Sequence, residues 1–134
     1  MSKFGQQQTV FTDGELLCSA LRDMGFQPQQ HEQPVHLFGY HGDQRKEVAE
    51  IVIPRAQIGG SSNDVGFVKR GDSYSAIISE FDSSRFNSKW MGQLAVNYKE
   101  KFSVKKMTGL GYKFLGREIV QTSKGATVQM RFES

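Results

Sequence analysis

The order of apolar and polar positions divides the chain into short alternating runs and two runs of helical period. FGQQQTVF (4–11) alternates weakly, as a strand does, and gives way at once to a helical pattern. Thr12-Asp13-Gly14-Glu15 has the spacing of a capping box, in which a hydroxyl and a carboxylate satisfy N–H groups of the first turn. Leu16, Leu17, Ala20, Leu21 and Met24 follow on one face, and Gly25 stands where a left-handed C-cap belongs. The pattern predicts a helix over 13–24. In VHLFGYHGDQRKEVAEIVIPR (35–55), Ala49, Ile51 and Ile53 alternate, which predicts two strands joined near His41-Gly42-Asp43-Gln44. A second hairpin is expected from DVGFVKR and SYSAIISEF around Gly71-Asp72, and a third from GYKFLGREIVQ and ATVQMRFE around Ser123-Lys124-Gly125.

Between these last two hairpins, Asn87 or Ser88 is placed to cap a helix over 88–107. Its apolar stripe is Trp90, Met91, Leu94, Ala95, Tyr98 and Phe102, and Gly109-Leu110-Gly111-Tyr112 breaks it. Strand, helix, two hairpins, helix and hairpin predict an α+β fold: a mainly antiparallel sheet with both helices packed on one face. Leu17, Leu21, Ile51, Ile53, Ile77, Trp90, Leu94 and Tyr98 are the expected core. A chain of 134 residues has the length of one domain, so residues 1–134 are read as a single α+β domain.

Composition narrows the chemistry. With 37% hydrophobic and 23% charged residues, grouped periodically, the chain reads as folded and globular. No run reaches the roughly 18 apolar residues of a membrane span, and MSKFGQQQTV lacks the apolar core of a secretory signal, so the expected compartment is the cytoplasm. One cysteine, Cys18, leaves no intramolecular disulfide and no cysteine cage for zinc. It lies at the boundary of the first helix's apolar face with no histidine nearby in sequence. Residues 99–134 carry eight Lys or Arg against three Glu, whereas the preceding residues are slightly acidic. On a helix Lys99, Lys101, Lys105 and Lys106 point in scattered directions, which suits a solvated surface better than a nucleic-acid interface.

His31, His36 and His41 are spaced by five, so on an extended chain His36 faces away from the other two, and no metal site is expected. The chain contains no G-x-S-x-G, H-E-x-x-H, Walker A or G-x-G-x-x-G pattern, and no cofactor is expected. The carboxylate pairs Glu47 with Glu50 and Glu80 with Asp82 read as solvated charge.

The stretch IGGSSNDVGF (58–67) is the one that asks for a function. Gly59 and Gly60 permit a backbone whose N–H groups converge on an anion, and Arg55 stands just upstream. The loop feeds a strand and not a helix N-terminus, however, which favours a turn in which Asn63 or Asp64 makes Asx hydrogen bonds.

AEIVIPRAQIGGSSNDVGFV (49–68), AIISEFD (76–82) and KWMGQLAVNYKEK (89–101), with the opening SKF and LLCSALRDMGF (16–26), resemble the cyanobacterial and plastid family called hypothetical chloroplast open reading frame thirty-five. Gly59, Gly60, Ser62, Asn63, Asp64, Gly66 and Phe67 match its most characteristic string, and Trp90 and Tyr98 match its second helix. GREIVQTSKGATVQM in the C-terminal third matches least closely. The resemblance implies a small accessory protein of cyanobacteria, plastids or their relatives, in the cytoplasm or the plastid stroma, with an AAA-type ATPase or a photosynthetic component as candidate partner. Two functional expectations follow. The first is a non-enzymatic interaction or assembly factor using Arg55, Gly59, Gly60, Ser62, Asn63, Asp64, Gly66 and Phe67 to contact another protein. The second is a small-anion or nucleotide-binding protein, or an enzyme, using the Arg55–Asp64 segment.

Overall fold

The computed structural model of the chain describes residues 3–111, 113–122 and 125–133. Its elements, in chain order, are β1 (Phe4–Gln8), α1 (Gly14–Asp23), β2 (Gln29–Phe38), β3 (Gln44–Ile53), β4 (Val65–Arg70), β5 (Ser73–Ser79), α2 (Ser88–Gly109), β6 (Lys113–Thr122) and β7 (Gly125–Glu133), with a 3-10 turn at Arg55–Gln57. They fall into two compact units, Met1–Tyr98 and Lys99–Ser134.

The first unit contains a five-stranded sheet in the order β1-β5-β4-β3-β2, every neighbouring pair antiparallel. Gly42 at φ +78° and Gly71 at φ +67° occupy the left-handed region in the two hairpin turns, where a side chain would be strained. One face of the sheet presents Ile51, Ile53, Val65, Phe67 and Ala76. These pack with Leu17, Cys18, Ala20 and Leu21 of α1 and with Met91, Leu94 and Tyr98 of α2, so both helices cover the same face, as expected. The eight expected core residues are buried apart from Trp90, which is half-buried against Phe26 and Phe86. The opposite face carries a smaller cluster of Leu37, Ala49, Val52, Val68 and Ile77. Fully burying one such aliphatic side chain stabilises the fold by about 1.5–3 kcal/mol.

Both helices begin and end for identifiable reasons. Asp13, and not Thr12, is the N-cap of α1: its Oδ1 accepts from the N–H of Glu15 (3.0 Å) and Leu16 (3.2 Å). The capping box is displaced because the N–H groups of Thr12 (3.0 Å) and Asp13 (2.9 Å) both donate to the Tyr98 hydroxyl, which fixes their position from across the core. At the other end Gly25 (φ +95°) lets Phe26 N–H reach Leu21 O and Gly25 N–H reach Arg22 O, the Schellman arrangement. Asn87 caps α2 by accepting from Trp90 N–H (3.0 Å). Phe102, expected on the buried stripe of α2, is 42% exposed. Cys18 is a further correction. It is 1% exposed within the core and not at a boundary, since its neighbours Leu17 and Leu21 turn that side of α1 inward.

In the second unit β6 and β7 form an antiparallel two-stranded sheet with one register shift between Phe114 and Gly116. The turn expected at Ser123-Lys124 and the break at Tyr112 fall outside the described residues, while α2 ends at Gly109 and Gly111 has φ +92°.

Candidate functional site

The residues singled out in 55–67 are gathered at the point where β3 leaves the sheet and β4 enters it. Pro54 (φ −61°) ends β3 and starts the 3-10 turn, and the chain then doubles back through Gly59–Ser61. Asp64 ties this connection at two points. Its Oδ1 accepts from Arg55 N–H (2.8 Å), its Oδ2 accepts from Phe38 N–H (2.8 Å), and its own N–H donates to Phe38 O (2.9 Å). Asn63, fully buried, reaches elsewhere: Oδ1 accepts from Tyr40 N–H (3.0 Å), and Nδ2 donates to Ser79 Oγ (2.9 Å) and Asp82 Oδ2 (3.3 Å). The Asn63 N–H and the Ser79 hydroxyl also donate to Asp82 Oδ2, at 3.0 and 2.7 Å. Asn63 and Asp64, with Asp82, therefore stitch together four segments, around residues 38–40, 55, 63–64 and 79–82, and the bonds to the two aspartates are charge-assisted.

The same bonds describe what the loop's backbone is doing. The N–H groups of Gly59, Ser62, Asn63 and Asp64 donate to Arg55 O, Gly59 O, Asp82 Oδ2 and Phe38 O. Neither Gly59 nor Gly60 has a positive φ, so no left-handed nest forms there. Asn63 and Asp64 bond across strands and do not make the local Asx turn that the sequence suggests. The Arg55 guanidinium donates to the carbonyl of Gly60 at 3.4 Å. Gly66 is required by packing: a Cβ there would lie 2.8 Å from Ala49 Cβ and 3.0 Å from both Leu37 methyl carbons. Phe67 is core, edge-on to Phe11. Of the candidate residues, Gly60 is the exposed one, beside the exposed Ser61.

Asp82 is a correction to its reading as solvated charge: it is 3% exposed and accepts three hydrogen bonds. Its only signal in the sequence is the spacing Ser79-x-x-Asp82, which a turn following a strand uses when the hydroxyl and carboxylate bond each other. Glu80 is exposed. His36 Nδ1 bonds Arg45 O (2.7 Å), His41 stacks on Tyr40, and no group of three His, Cys, Asp or Glu is arranged to hold a metal among the described residues. Burial pushes the Cys18 thiol pKa up, with Arg22 pulling the other way, so the thiol is held protonated and shielded.

The sheet's two edges differ in kind. β2 carries Pro34 and two register shifts, with Glu32 and Gln33 turned to solvent. These are devices that spoil a strand as a template for further pairing. β1 is regular over all five residues and contains neither proline nor charge. Glu80 N–H donates to Lys3 O and Thr9 N–H to Tyr74 O, so odd-numbered residues direct their backbone groups at β5. By the alternation of an antiparallel ladder, Phe4, Gln6 and Gln8 direct theirs outward. No strand pairs with that side among the described residues. Beside it lies an open groove of about 190 Å³, lined by Gly5, Gln6 and Gln7 of β1, Ala76 and Ile78 of β5, and Ser83 and Phe86. Sequence reasoning missed this edge because β1's place depends on pairing with β5, some 77 residues away along the chain at Lys3 and Glu80.

No helix among the described residues is long and apolar enough to cross a membrane. No curated protein and no solved structure matches the chain. A family model does match residues 20–128, which run from α1 through both hairpins of the sheet and α2 into β7 and include the whole stitched loop, and on that match the chain belongs to the family described as protein of unknown function DUF1257.

Proposed function

We propose that the chain is a non-enzymatic protein-interaction or assembly module that adds an extended segment of a partner protein to its sheet at β1. The observation that carries this reading is the contrast of the edges: β2 is spoiled for pairing, whereas β1 offers the outward N–H and C=O groups of Phe4, Gln6 and Gln8 on a regular strand. Strand addition of this kind draws its affinity from main-chain hydrogen bonds, and five residues match the usual length of such a contact. The loop's part is indirect. Its Asp64 carboxylate and Asn63 amide are engaged with backbone and side-chain groups of neighbouring segments, which fixes the sheet so that its edge is preformed.

On the string IGGSSNDVGF we further assign the chain, within DUF1257, to the hypothetical chloroplast open reading frame thirty-five type. That assignment implies a cyanobacterial or plastid setting, in the cytoplasm or stroma.

Proline provides the test. At Gln6 the N–H points outward, so Gln6→Pro removes a donor that β5 does not use. At Gly5 the N–H points at β5, so Gly5→Pro breaks a ladder bond. A displayed library of random peptides is selected on the full chain. Gln6→Pro is expected to retain the native melting temperature and to lose the selected peptides, while Gly5→Pro lowers the melting temperature. Undiminished peptide binding by folded Gln6→Pro overturns the reading.

A further inference from the structure

We infer that the β1 edge selects an extended segment in which a large apolar residue and an acidic residue are adjacent. The inference rests on the strand-addition reading and adds its specificity. Consecutive residues of a strand face opposite sides of a sheet, and the two sides of β1 differ. Gly5 lies opposite Ile78, on the side covered by the helices. With no side chain of its own, it leaves the groove against Phe86 and Ile78 open beside the edge. A Cβ at Gly5 would meet nothing closer than Ile78 O at 3.7 Å, so the absence of a side chain is not imposed by crowding. A bulky apolar side chain from a neighbouring strand fills such a slot, in the way that an aromatic residue covers a strand glycine across a ladder.

Gln6 lies opposite Ile77, on the other face. There Arg70, exposed at the end of β4, donates from Nε to Gln6 Oε1 at 3.2 Å, which places a guanidinium beside Gln6 on that face. The residue that pairs beside Gln6 stands next in sequence to the one that fills the slot over Gly5. Its favoured chemistry is a carboxylate, by charge complementarity with Arg70. The same arginine decides against a second copy of this chain as occupant. An antiparallel pairing of two β1 strands centred on Gln6 would set two Gln6–Arg70 pairs on one face across the symmetry axis with no carboxylate between them, and like charges so placed repel.

The test uses synthetic peptides of alternating valine and threonine, about six residues long, titrated against the full chain by fluorescence anisotropy. The central pair is leucine with aspartate, in both orders, or leucine with lysine, or serine with aspartate. The leucine–aspartate peptide is expected to bind about tenfold more tightly than either of the others, and the better order reports whether the added strand is parallel or antiparallel. Arg70→Glu should invert the preference between aspartate and lysine. Gly5→Leu, which fills the slot from within, should erase the preference for leucine over serine while the chain keeps its melting temperature. Equal binding of aspartate and lysine peptides that is still lost in Gln6→Pro overturns this inference and leaves strand addition standing. Binding that survives in Gln6→Pro overturns the strand-addition reading itself.

Discussion

The connection from β3 to β4 and the strand β1 are both short and rich in polar residues, but they direct those residues in opposite ways. In the connection, Asn63, Asp64 and their partner Asp82 turn inward and bond strands and turns together. In β1 the glutamines stay in water, and the backbone of alternate residues faces open space. The difference teaches that a distinctive motif need not lie on an exposed surface. A buried polar network tolerates few substitutions, because each leaves an unpaired group in a poorly solvated place, so it stamps a conspicuous string on the sequence. A solvated edge strand has no such need, and FGQQQ looks unremarkable.

The strongest way to break the comparison is to remove the inward-facing pair. Asn63→Ala with Asp64→Ala strips acceptors from the N–H groups of Phe38, Tyr40 and Arg55. At about 1–3 kcal/mol for each buried group left unpaired, the double variant should lose several kcal/mol in urea unfolding, while its folded fraction still binds β1-directed peptides. Peptide binding lost at undiminished stability would make the connection a contact surface after all.

A smaller effect is expected at Gly66, where the added methyl of Gly66→Ala would press on Ala49 and Leu37. Overpacking of this kind costs about 1–3 kcal/mol, which thermal melts resolve, and a neutral result would show that the sheet beneath the connection yields more easily than the stitching implies.

The mildest test is alkaline pH. Burial raises the pKa of the Cys18 thiol, opposed by Arg22, and burial together with the Glu50 charge raises that of the Tyr74 phenol. For both groups the unfolded chain releases its proton first. Their contribution is therefore fully present below the unfolded values, about 8.5 for cysteine and 10 for tyrosine, and is lost as pH rises through the folded ones. Urea midpoints should fall as pH rises above about 8, and less steeply in Cys18→Ala. A flat profile would mean that the core lets water reach these groups.

Much of the fold was legible because it is encoded locally. Apolar period, capping residues and turn glycines sit within a few positions of one another, and they place both helices and most strands within two residues, whereas β2 begins at Gln29, six residues ahead of the run read from Val35, because its polar start QQHEQP carries no apolar alternation. The N-cap of α1 slipped by one because Thr12 and Asp13 are both capable caps, and the deciding group, the Tyr98 hydroxyl, comes from 86 residues away. Candidate-site residues were legible as a string, though not in their orientation. Whether Asn63 faces water or Asp82 depends on how β5 returns beside β4, and that is a property of strand order. Phe102 follows the helical period well, yet period alone does not specify how far along a helix its covering extends.

The tie between Asp64 and Arg55 has a further consequence for how the molecule opens. Surface connections ordinarily fluctuate on their own, with amides that exchange freely while the core stays closed. Here the amides of Phe38, Tyr40, Arg55 and Asn63 are held by side chains distant in sequence, so releasing any of the four requires a bond between residues distant in sequence to break. The connection thus joins the cooperative unit of the central strands, and the boundary between independently mobile and collectively opening backbone falls inside it, between the exposed Gly60–Ser61 tip and Ser62.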